Sequence, residues 1–110
     1  MNQFELFTLI FLYLDFQWKQ TQDETLRLFL SDMNPFLFAD IGSAVTCVYH
    51  DFCNIIQEPI TIENSLQLAK KYIASLNDEV IFNAFSTIDP EEWFFNVEEY
   101  LATDHKGKLK

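Results

Sequence analysis

The sequence predicts an all-α fold, a single-domain antiparallel bundle of five or six helices, and three observations carry that expectation. The 110 residues include only two glycines and three prolines, so the chain has few places where it must turn. Its apolar residues recur mostly three and four apart, the period of a helix with one buried face, and seldom alternate as in strands. The stretches between these periodic segments are short, which makes successive helices antiparallel neighbours. A chain of this length has room for one core and buries about two-thirds of its extended surface on folding. Residues 1 to 104 are therefore read as one domain, with 105 to 110 as a flexible basic tail.

The first helix is expected over about residues 3 to 19. Phe4, Phe7, Phe11, Leu14 and Trp18 form one seam and Leu6, Ile10 and Tyr13 the next, leaving a narrow polar stripe of Glu5, Thr8, Asp15 and Lys19. A helix apolar nearly all round is either central in its bundle or covered by a partner chain. The second opens on a capping-box pattern from Thr21 to Glu24, in which hydroxyl and carboxylate satisfy each other's backbone donors. Leu26, Phe29, Leu30 and Met33 form its buried face, and Pro35 stops it by pushing Asn34 out of helical geometry. The apolar segment Phe36 to Gly42 is read as a loop plugging the end of the bundle. The third helix runs from about Ala44 to Gln57 with Val45, Val48, Tyr49, Phe52, Ile55 and Ile56 inward, and Pro59 closes it. The fourth starts at a Thr61 cap and buries Ile62, Leu66, Ala69, Ile73 and Leu76. Asn77 is expected to cap the fifth, whose first turn carries Asp78 and Glu79 at the favourable end of the dipole. Four signals mark the start of the sixth: Asp89 as cap, Pro90 in first helical position, Glu92 closing a box, and Ile88 stapled to Trp93. That helix runs to about Thr103.

Seven basic residues stand against seventeen acidic ones, a net charge of −10. Three of the seven are Lys106, Lys108 and Lys110, so residues 1 to 105 hold four basic against seventeen acidic residues, a net −13. Such a surface repels phosphate backbones and anionic lipid, both of which are held by Lys and Arg. No direct nucleic-acid or membrane binding is expected. The apolar run Phe7 to Leu14 lacks the basic flank and cleavage site of a signal peptide, and is too short to span a membrane. Cys47 and Cys53 lie six apart on a predicted helix, roughly 9 Å between Cα atoms, beyond the reach of a disulfide. A reducing, cytoplasmic setting is the expectation.

Cys47, His50 and Cys53, three apart, invite a metal or Cys–His reading. The outer two are about 120° apart around the helix, and the spacing matches no zinc pattern, so the residues are read as structural, with His50 on the face opposite Val45 and Phe52 and Cys53 at the edge of the apolar face as a small hydrophobe. No cofactor is expected. The carboxylate pairs Asp23/Glu24, Asp78/Glu79 and Glu91/Glu92 each fall in a first helical turn, where exposed backbone donors already favour negative charge. With no nucleophile or general base beside them, they do not indicate an enzyme.

The sixth helix differs because its acids surround an aromatic. Positions three and four apart are neighbours on a helix, so Phe95 adjoins Glu91, Glu92, Glu98 and Glu99 together. If Trp93, Val97, Tyr100 and Leu101 face the core, Phe95 is an exposed knob ringed by carboxylates, able to anchor a basic partner. If the helix is rotated, Phe95 is buried and the glutamates are a solvated flank.

The segment Phe29 to Phe52, FLSDMNPFLFADIGSAVTCVYHDF, resembles a group of short uncharacterised bacterial proteins with an SDxNPFLF…D.GSA…Y..F signature. The resemblance implies a bacterial cytosolic helical domain and carries over no catalytic residue. Where that pattern continues with small and acidic residues after Ser43, this chain has Val45 and Thr46. In size, charge and helical content the chain is also similar to the small acidic immunity proteins that neutralise basic toxins. The expected function is a non-enzymatic module for a basic protein partner, immunity-like or inhibitor-like. The alternatives are a structural homodimer through the first helix, a Cys/His metalloprotein, and an acidic mimic of nucleic acid.

Overall fold

The apolar N-terminal stretch forms the longest helix of the computed structural model, α1 (Gln3–Thr21). Residues 1–34 and 46–102 are described. Asn2 starts α1 through a reciprocal cap: its side chain accepts the Glu5 N–H at 2.7 Å while the Glu5 carboxylate accepts the Asn2 N–H at 2.9 Å. The helix ends at Gln22, which takes a left-handed conformation (φ 57°) and donates its N–H to the Trp18 carbonyl at 2.7 Å. There follow α2 (Glu24–Met33), α3 (Thr46–Ile55), α4 (Ile62–Ser75), α5 (Glu79–Ser86) and α6 (Pro90–Ala102). Six helices and no strand among the described residues make this an all-α, single-domain bundle. None of these helices is long and apolar enough to cross a membrane.

Two caps differ from the sequence reading, for the same reason. A cap residue needs extended backbone so that its side chain can reach back to the first-turn donors. Thr21 is still helical as the last residue of α1, so Asp23, with extended backbone, caps α2 by accepting the Leu26 N–H at 3.1 Å. Asn77 is left-handed (φ 53°), a conformation Asn tolerates better than most residues, and makes the turn between α4 and α5. Asp78 takes over as cap, accepting the Val80 and Ile81 N–H groups at 3.0 and 3.3 Å. Thr61 caps α4 as expected, in a reciprocal pair with Asn64. Asp23→Ala should cost about 0.5–2 kcal/mol in urea denaturation and Thr21→Ala clearly less.

Helix α1 is the central one, in contact with α2, α3, α4 and α5, while α6 packs chiefly on α4. Both expected seams of α1 are in the core, from Phe4 to Leu14, with Tyr13 and Trp18 partly buried against it. Thr8, expected on the polar stripe, is instead fully buried. The buried face of α2 is Leu26, Leu30 and Met33, with Phe29 partly covered. Phe52 of α3 and Ile56 just beyond its end are fully buried, whereas Val48, Tyr49 and Ile55 are only half-buried. Leu68 and Tyr72 join the core face expected for α4.

Aromatic edges knit these helices together. Phe52 of α3 meets Phe7 of α1 with centroids 5.1 Å apart and Tyr72 of α4 at 4.8 Å, both edge-on, the favourable arrangement for aromatic quadrupoles. A second set links α1, α5 and α6, with Tyr13 5.2 Å from Phe85 and Phe85 6.0 Å from Trp93. At the far end of α1, the Gln3 side-chain amide donates to the Ile56 and Cys53 carbonyls at 2.6 and 3.2 Å. That satisfies acceptors left open at the end of α3. The expected loop Phe36 to Gly42, the start of the third helix near Ala44 and Val45, and the tail 105 to 110 lie outside the described residues.

Candidate interaction site on the first and last helices

The placement of α6 is decided at its first turn. Asp89 accepts the Glu91 N–H on its carboxylate at 3.0 Å and the Trp93 N–H on its carbonyl at 2.9 Å, and Pro90 occupies the first helical position. Ile88 and Trp93 are both in the core, as a hydrophobic staple requires. The fourth expected signal is missing, because Glu92 makes no hydrogen bond to the Asp89 amide among the described residues and instead lines a groove.

One buried bond then sets the rotation of the helix. The Trp93 indole Nε1–H donates to the Ser65 hydroxyl of α4 at 3.0 Å, and that hydroxyl donates to the Ile62 carbonyl at 2.8 Å. With Trp93 and Val97 inward and Tyr100 and Leu101 half-buried, Phe95 is turned to solvent and is 66% exposed. Of the two placements left open by the sequence, the structure has the exposed knob. Glu91, Glu92, Glu98 and Glu99 are all exposed around it.

These four acids divide between two faces. Glu92, Asn96 and Glu99, four and three residues apart, line one side of a groove of about 430 Å³. The other side is α1, through Leu9, Leu12, Tyr13 and Phe16, with Trp93 and Tyr100 also reaching it. Phe95 with Glu91 and Glu98 lies on the adjoining outer stripe. Leu12 is 40% exposed and Phe16 52%, so the groove adds two large apolar side chains to the knob. Burial pushes the Tyr100 phenol above its ordinary range, the Glu5 charge adds to this and Thr8 opposes it, so at neutral pH it is an uncharged hydroxyl.

Leu12 and Phe16 were not singled out by the sequence. The available signal was surplus: a helix needs an apolar stripe of roughly 100° to pack, and α1 is apolar well beyond that. A second groove of about 400 Å³ between α4 and α5 has the opposite character, with half-exposed Phe82 beside Lys70 and Lys71.

On α3, Cys47 and His50 are exposed and Cys53 is half-buried, and both thiols are free. The His50 ring nitrogen lies 3.3 Å from the Asn54 side-chain amide. Among the described residues no group of three His, Cys, Asp or Glu side chains is placed to hold a metal ion.

Compared with protein families, curated proteins and solved structures, the chain matches none of them.

Since Phe95 stands clear of the core, Phe95→Ala should leave stability within about 0.5 kcal/mol of the parent in thermal or urea unfolding. A loss of several kcal/mol would mean that α6 is rotated the other way.

Proposed function

We propose that the protein is a non-enzymatic, acidic binding module for a basic protein partner, immunity-like or inhibitor-like, and that α6 with the neighbouring face of α1 is its contact surface. The observation that carries this reading is Phe95, two-thirds exposed on a helix whose four flanking glutamates are exposed with it. An aromatic side chain in water is held there at a cost of roughly 1.5–3 kcal/mol relative to burial, which docking into a pocket recovers. Carboxylates at the rim attract a basic partner and repel an acidic one. Exposed, free Cys47 suits a reducing compartment, and a bacterial cytoplasm is the setting that fits the SDxNPFLF segment.

The test is capture of a partner from cognate lysate on immobilised protein, repeated with Phe95→Ala and with Glu91→Lys/Glu98→Lys. A basic partner retained by the parent and lost from both variants supports the module. A partner retained equally by all three removes the surface from the proposal.

Leu12 and Phe16 favour a second reading, in which the exposed side of α1 pairs with its copy in a homodimer. Sedimentation at micromolar concentration decides it, since a 13.0 kDa species eliminates the dimer.

A further inference from the structure

We infer that the groove between α1 and α6 takes an amphipathic helix of the partner, apolar along one stripe and flanked by Lys or Arg, an inference that rests on the proposed function and names the element that docks. Both walls are helices whose N–H and C=O groups are bonded within themselves, and no sheet edge exists among the described residues. An extended segment laid against them would give up water from its own amides and find no partner for them, whereas a helix arrives with its amides already satisfied.

Leu9, Leu12, Tyr13 and Phe16 form a continuous stripe at helical spacing along one wall. Leu12 and Phe16, one turn apart and 40% and 52% exposed, stand where side chains at helical spacing on a guest would pack.

Glu92 and Glu99 stand two turns apart on the other wall, roughly 10 Å along the axis, and both are exposed. Lys or Arg seven residues apart on a guest helix meets both carboxylates. The α6 helix of a second copy of this chain is a poor guest, since it would bring four more glutamates against them.

The experiment titrates the full chain against a labelled synthetic peptide of about 18 residues, Leu at three-and-four spacing with Lys on the flanks, followed by fluorescence anisotropy. Two further peptides carry a central proline, which breaks the helix, or Glu in place of Lys. The basic helical peptide should bind, the proline peptide at least about tenfold more weakly, and the acidic one not at all. Phe16→Ala and Glu92→Lys, both at exposed positions and checked for retained helicity, should each weaken binding about fivefold or more, while Phe82→Ala, on the far groove, should leave it unchanged. Equal binding of the helical and proline peptides overturns the helical guest. No binding, or binding indifferent to Phe16→Ala and Glu92→Lys, overturns the groove. Loss on Phe95→Ala without loss on Phe16→Ala also overturns the groove, and leaves the wider acidic surface as the site.

Discussion

Replacing Phe52 with alanine should lower stability by about 3–5 kcal/mol, a large share of the total for a domain of this size. In thermal unfolding that is a fall of roughly 15–25 °C. Phe52 is fully buried, and its ring is the meeting point of α1 and α4 through Phe7 and Tyr72. Truncation removes its apolar area and leaves a cavity walled by aromatic rings, which are too stiff to collapse into it. The exposed Phe16→Ala is the control, with a change of about 0.5 kcal/mol or less. Equal effects from the two would mean that the centre of the bundle is not at α1, α3 and α4.

Trp93→Ala has the second large effect, and it reaches function through the fold. Trp93 is 2% exposed, lies edge-on to Phe85, and gives its indole N–H to Ser65. Its loss should cost about 3–5 kcal/mol, most of it from the cavity. Trp93→Phe keeps a ring and loses the hydrogen bond, so the smaller part, about 0.5–1.5 kcal/mol together with some packing, is read separately. Since α6 is held chiefly through α4, the alanine variant should lose amide-exchange protection along α6 before the rest of the bundle opens. The surface that Phe95 and the glutamates form would go with it, so partner binding should fall although none of the proposed contacts has been altered.

How far these features could be read in advance varies with the kind of residue. The start of α6 was legible because Ile88, Asp89, Pro90 and Trp93 each constrain it locally and agree. Phase in α1 was not, because with Phe, Leu and Ile on nearly every side no periodicity singles out the buried face. Thr8 went inside and Leu12 and Phe16 stayed outside through the arrangement of the other helices. The same limit moved the caps by one or two residues. Thr21 and Asp23, or Asn77 and Asp78, are chemically equivalent candidates, and the choice depends on where the preceding helix ends. Ser65 carried no signal at all, being a small polar residue whose buried hydroxyl is satisfied by the Ile62 carbonyl of its own helix and by an indole arriving from α6. For the site, the ring around Phe95 followed from helical spacing alone, whereas the division of its acids between a knob and a groove needed the position of α1.

The most direct test of the acidic surface as a contact for a basic partner is the partner's affinity for the parent and for Glu91→Lys/Glu98→Lys across a salt series. The parent should lose roughly tenfold or more between about 50 and 200 mM salt, as charged rims are screened, and the double variant should bind weakly with a nearly flat salt dependence. An affinity that is indifferent to salt and unchanged by the double reversal would contradict the account.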